Sequence, residues 1–183
     1  MLTVDDLLRG PRPAGSEEDP IDHLSACHRR VEQRLETLAR AGERFPKDRA
    51  AALSAIDGCL EFFATNGVRH TADEEESLFP RLLPRLSAAD KALIEGLEAE
   101  HKTADLLHLE LTGLAAALSQ APSDEAPLNA FRDCVQRLTV LYRRHIELED
   151  TQVAAMARRN LTASELAAMK DEMKRRRRQE ATH

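Results

Sequence analysis

Tryptophan is absent from this 183-residue chain, tyrosine occurs once and phenylalanine five times, while Leu, Ala, Glu and Arg crowd the sequence. That composition favours helices over sheets. No apolar run approaches the ~20 residues that span a bilayer; the longest, such as Leu114 to Leu118 and Val153 to Ala157, are far shorter, so no membrane segment is expected. Cationic excess is also lacking. With 26 Lys and Arg against 32 Asp and Glu the net charge is −6, which argues against nucleic acid as a partner. The three cysteines, Cys27, Cys59 and Cys134, form no CxxC and sit among apolar positions, so they read as reduced core residues. The start, MLTVDDLLRG, is acidic where a secretory signal would be basic, and a cytoplasmic protein is expected.

What is present is a helical rhythm. Residues 1–19 carry Pro, Gly and acidic residues without a period and read as a mobile arm. Four stretches with apolar spacings of three and four then follow across 20–160, predicting an up-down antiparallel four-helix bundle. The first stripe is Leu24, Cys27, Val31, Leu35 and Leu38. The second helix meets a local distortion at Asn66-Gly67, the third opens at the capping residue Ser87, and a turn covers Pro122 to Pro127. A capping box, Thr162-Ala-Ser-Glu165, starts a short C-terminal helix over 161–183, packed on the bundle or projecting from it. Its cations Lys174 to Arg178 suit a helix C-terminus or an anionic partner, and the helix offers a surface for a protein partner.

Histidines interrupt these stripes where Leu or Val belongs. The fourth reads Phe131, Val135, Leu138, Tyr142, His145, Glu149, Val153; the second reads Leu60, Phe63, Gly67, His70, Glu74, Leu78. His101 lies on the third stripe and His28 beside the first, so each helix supplies one inward histidine. A carboxylate four residues after a histidine shares its helix face, so the two can grip one metal. Given 32 acids among 183 residues, chance places about one such pair in this chain. Four occur: His28/Glu32, His70/Glu74, His101/Asp105 and His145/Glu149. Glu32 reads as a surface partner of neighbouring arginines, and the run Asp73 to Glu76 as a solvated face in which only Glu74 has the phase of the stripe. Buried carboxylates among neutral imidazoles call for a divalent cation, and mixed nitrogen and oxygen ligands favour iron or manganese, with zinc as a further candidate. The ferritin-type alternative needs Glu-x-x-His twice; Glu98-Ala-Glu-His101 supplies it once, since Gly67 and Tyr142 hold the required positions before His70 and His145.

The segments CHRRVEQRL, RHTADEEESLFPRL, EAEH and LYRRHIELED resemble the four ligand segments of the hemerythrin-like HHE cation-binding domain, over about residues 20 to 160. The resemblance implies two non-haem iron ions, carboxylate- and oxo- or hydroxo-bridged, held by His28, His70, Glu74, His101, His145 and Glu149. In that arrangement His28 and His70 serve one metal, His101 and His145 the other, and Glu74 and Glu149 bridge. Two positions depart from the family pattern: Asp105 replaces a second third-helix histidine, and Asp150 competes with Glu149 as the second bridge. Asp105 is thus a candidate auxiliary ligand, Glu75 a candidate support for a ligating histidine, and Tyr142 a candidate donor to a bound oxygen species or to a ligating carboxylate. His23 and His108 are weaker ligand candidates, and His183 has no implied role.

The function implied is binding or sensing of dioxygen, nitric oxide or peroxide, or a part in iron and oxidative-stress handling. Asp105 speaks against reversible oxygen carriage. Two alternatives stand beside it: a di-iron oxidase or peroxidase, and a structural, partner-binding bundle with a degenerate site.

Overall fold

The computed structural model describes residues 19–120 and 125–179, and every regular element among them is helical. Residues 1–18 of the expected arm, part of the expected turn, and His183 lie outside the described residues.

Helix α1 (Pro20–Arg44) begins where the Asp19 carboxylate accepts from the Ile21 amide at 2.8 Å, with Pro20 in the first turn, where no helical amide is needed. It buries the whole predicted stripe from Leu24 to Leu38. A second rod, 49–85, is composite: α2 (Arg49–Phe62), a π turn (Phe63–Gly67), α3 (Val68–Asp73), a second π turn (Glu74–Leu78), α4 (Phe79–Leu82) and a 3-10 turn (Leu83–Arg85). The distortion expected at Asn66-Gly67 is the first of these π turns. The third rod is α5 (Ala88–Gln120), preceded by Ser87, whose hydroxyl accepts from the Asp90 amide at 3.2 Å. The fourth comprises α6 (Glu125–Leu148), a π turn (Glu149–Val153) and α7 (Ala154–Asn160). Helix α8 (Ala163–Gln179) starts at the capping box: the Glu165 amide donates to Thr162 Oγ1 at 3.3 Å, and the Thr162 amide donates to the Glu165 carboxylate at 2.9 Å.

The result is an all-α bundle in which α1 packs on α2 and α6, and α5 packs on the same two. Gly42 sets the approach of α1 to α6. Arg132 donates to its carbonyl at 2.9 and 3.2 Å, and a Cβ there would lie 3.3 Å from Arg132 Cγ and 3.4 Å from the Phe131 ring.

Two apolar cores occupy the bundle. One gathers Leu38, Ile56, Leu111, Leu118, Phe131 and Leu138; the other gathers Leu24, Phe79, Leu82, Ile94, Leu97 and Met156. Helix α1 runs from the second core to the first, the second rod back, α5 forward again and the fourth rod back. Where each rod changes core it carries a buried polar residue: His28, then His70 and Glu74, then His101, then His145 and Glu149. A polar layer therefore divides the core.

Of the two placements expected for the C-terminal helix, the structure shows the packed one. Met169 and Met173 of α8 are buried in the second core, and Glu172 and Glu165 pair with Arg81 and Arg85 of the second rod at 2.7 and 2.6 Å.

Candidate metal centre

The polar layer brings all six expected side chains together. Among the described residues, two groups have ligand atoms lying within 4.8 Å of one another: His28, His70, Glu74 and Glu149, and Glu74, His101, His145 and Glu149. The two carboxylates belong to both. Glu74 Oε1 lies 3.2 Å from His70 Nε2 and 3.7 Å from His28 Nε2, while its Oε2 lies 3.4 Å from His101 Nε2. Glu149 Oε2 lies 3.1 Å from His28 Nε2 and 3.2 Å from His145 Nε2. Ligands bound at about 2.1 Å around one ion stand about 3 Å apart when adjacent and about 4.2 Å apart when opposite, and the contacts here, from 3.1 to 3.7 Å, fall within that span.

These atoms approach one another without satisfying one another. His28 Nε2, Glu74 Oε2 and both oxygens of Glu149 are buried with no hydrogen-bond partner. Buried carboxylate oxygens left in that state cost several kcal/mol each. Imidazole nitrogens and carboxylate oxygens thus gather within 4.8 Å of one another, a donor set that fits cations.

An outer ring of acids orients the imidazoles. Nδ1 of His28 donates to Asp150 at 2.8 Å, Nδ1 of His101 to Glu75 at 2.8 Å and Nδ1 of His145 to Glu100 at 3.1 Å. Each ring thereby turns Nε2 inward. His70 differs, because its Nδ1 is buried with no hydrogen-bond partner and the Cys27 thiol is its polar neighbour. Glu75, named from the sequence as a support for a ligating histidine, is the carboxylate on His101 Nδ1. Asp150 lies outside both groups and accepts from His28, whereas Glu149 belongs to both. Glu100 was legible only as part of the single Glu-x-x-His; nothing in its spacing tied it to His145 on another rod.

Electrostatics follow from the same packing. Burial opposes charge on His28, but Asp150, Glu149 and Glu74 outweigh it and push the imidazole up to about 12. His101 likewise rises against burial to about 9 under Glu74 and Glu75. Burial alone would raise Glu74, yet His70, His101 and His28 hold it well below the usual carboxylate range. Burial and Glu74 push Glu149 up, and His145 and His28 more than reverse this. Burial also opposes ionisation of Cys27, but His23, His70 and Arg30 bring the thiol down to about 5, with Arg30 Nη2 donating to Sγ at 2.8 Å.

Other expected residues stand apart from the cluster. Asp105 is exposed, one turn beyond His101, and belongs to neither ligand group. Tyr142 shares a 2.9 Å hydrogen bond with His108 Nε2, so these two residues pair with each other. His23 accepts from Arg177 at 2.9 Å, and Glu32 is exposed. One expectation is corrected: Asp73 to Glu76 is not a solvated face. Asp73 is fully buried and receives Arg176 and Arg177 from α8, each at 2.7 Å, while Glu74 points into the layer. Two of the five tail cations therefore face the bundle.

A family model for the hemerythrin HHE cation binding domain matches residues 19–157. None of the curated proteins compared with the chain matches it. No helix among the described residues is long and apolar enough to cross a membrane.

Proposed function

Because the chain belongs to the hemerythrin HHE cation-binding domain family, we propose that it holds two non-haem iron ions in its polar layer and offers them to a small ligand such as dioxygen, nitric oxide or peroxide. His28 and His70 would hold one ion, His101 and His145 the other, with Glu74 and Glu149 shared. When bound, the ions supply Lewis acidity and one-electron chemistry. The protein's part is to fix the imidazoles through Asp150, Glu75 and Glu100, and to keep bulk water from the carboxylates. The observation that carries this reading is the pair of ligand groups sharing two carboxylates, three of whose oxygens are buried with no hydrogen-bond partner. Free, buried Cys27, Cys59 and Cys134 fit the reducing cytoplasm.

The test is metal content, with an optical spectrum, on protein produced with added iron and purified without chelator. About two irons per chain are expected, falling when His70 or His145 is replaced by Ala. A folded protein that retains no metal would refute the proposal.

An enzyme reading has its own support. The space against His28, Glu74 and Glu149 measures about 10 Å³, whereas about 240 Å³ opens beside His101. Access on one side suits turnover by an oxidase or peroxidase. Peroxide consumption beyond one equivalent per site would favour it over simple binding.

A further inference from the structure

The 240 Å³ cavity opens between the second rod, α5 and α6, under the π turn Phe63–Gly67. His101 is the wall it shares with the polar layer. Its inner end is formed by an uncharged polar pair, and its mouth is acidic. Inside, the Tyr142 hydroxyl and His108 Nε2 are joined at 2.9 Å, and the His108 ring lies on Phe63 with centroids 4.3 Å apart. That bond uses one of the hydroxyl's hydrogen-bonding capacities and leaves it another. His108 Nδ1 is buried with no hydrogen-bond partner. Burial brings His108 down to about 4, so the ring is neutral at physiological pH. Among the described residues lining the cavity, Glu75, Glu76 and Asp105 are acidic, His101 is the one base raised enough to carry charge in metal-free protein, and no Lys or Arg takes part. Glu75 is engaged by His101 and Glu76 by Arg176 at 3.1 Å, while Asp105 is exposed.

We propose that this cavity is a binding site for a small uncharged molecule that both donates and accepts hydrogen bonds, of the chemistry of hydrogen peroxide. Tyr142 and His108 hold the molecule, and the acidic mouth turns anions away. A cleft lined by one sign of charge concentrates or excludes ions severalfold or more, and an apolar gas would leave the buried polar atoms of the pair without a partner. The proposal deepens the metal reading, on which it rests only for what the ligand meets beside His101; the cavity itself can be tested without metal.

Tyr142 is the one tyrosine in a chain with no tryptophan, so its emission and absorption report on this cavity alone. In metal-free protein at low salt, acrylamide, an uncharged probe, should quench Tyr142 about tenfold more effectively than iodide. Asp105→Asn should narrow that gap, and Ala72→Phe, which fills the cavity, should abolish acrylamide quenching with the helical circular dichroism retained. Where the bond to His108 already darkens the emission, the tyrosine difference spectrum in each probe gives the same readout. Equal quenching by both probes, or acrylamide quenching that survives Ala72→Phe, overturns the proposal. In iron-loaded protein, Tyr142→Phe should raise the half-saturating peroxide concentration about fivefold to tenfold with iron content unchanged; an unchanged value also overturns it. If the parent protein retains no iron, the metal reading fails and the quenching result still decides the cavity.

Discussion

His101 Nε2 and His145 Nε2 face each other at 3.0 Å across the bundle, and each ring directs its Nδ1 hydrogen to a carboxylate, Glu75 or Glu100. A neutral imidazole with hydrogen on Nδ1 presents only a lone pair at Nε2. Two lone pairs at that separation repel unless a positive charge stands between them. In metal-free protein a proton on His101 supplies that charge; a metal bound by these nitrogens would displace it, so binding is expected to release protons.

The outer acids should therefore tune affinity without abolishing it. Asp150→Asn, Glu75→Gln and Glu100→Gln are each expected to weaken metal binding about 10- to 100-fold while leaving the fold intact, as read by chelator competition. Glu149→Gln should cost far more, because Glu149 belongs to both ligand groups. Should Asp150→Asn prove the more damaging change, Asp150 would be the shared carboxylate.

Stability of the metal-free protein should depend on pH in a particular direction. His28 and His101 are raised from 6.5 to about 12 and about 9, so their contribution to stability is complete below pH 6.5 and declines as pH rises towards 9 and beyond. Glu74 and Glu149 are lowered from 4.5, so theirs is present above pH 4.5 and lost as pH falls below it. Melting temperature without metal should peak between pH 4.5 and 6.5 and fall toward pH 9, and bound metal should flatten the alkaline limb. A metal-free protein as stable at pH 9 as at pH 6 would contradict this account.

The clasp of α8 on Asp73 should be asymmetric. Replacing Arg176 and Arg177 together by Leu strands a fully buried carboxylate and is expected to cost about 3–5 kcal/mol in urea unfolding. Asp73→Asn should cost less, since the Arg176 and Arg177 side chains are 18% and 30% exposed and water can reach them. Equal losses would mean that the arginines matter for packing more than for charge.

Met169 is completely buried in the second core. Met169→Ala should destabilise the protein by about 2–5 kcal/mol, measurable as a lower urea midpoint, whereas a helix merely resting on the bundle would lose under 1 kcal/mol or so.

Much of this was legible in the sequence because it is local. The stripe from Leu24 to Leu38 and the inward phase of His70, Glu74, His145 and Glu149 follow from helical spacing, and the structure buries them. Even the π turns left a trace: His70, Glu74, Leu78 and His145, Glu149, Val153 are each spaced four and four, where an ordinary helix alternates three and four. What escaped is carried by partners on other rods. Glu100 supports His145 from α5, and Arg176 reaches Asp73 across 103 positions, so no periodicity announced either. Asp73 was misplaced because a run of four acids usually points to water, and its partners lie on the last helix described.

Both shared carboxylates open a π turn, Glu74–Leu78 and Glu149–Val153. Each such turn holds a surplus residue in the helical count, which sets the phase of all that follows. If the same number of residues were wound as ordinary helix instead, the downstream segment would rotate by about 100°. In the second rod that rotation would swing Phe79 and Leu82 out of the second core, and in the fourth it would do the same to Met156 and Ala157. A single-codon loss inside either turn would therefore be absorbed as ordinary helix with the downstream core residues still inward, whereas a loss elsewhere in these rods has no surplus residue to draw on.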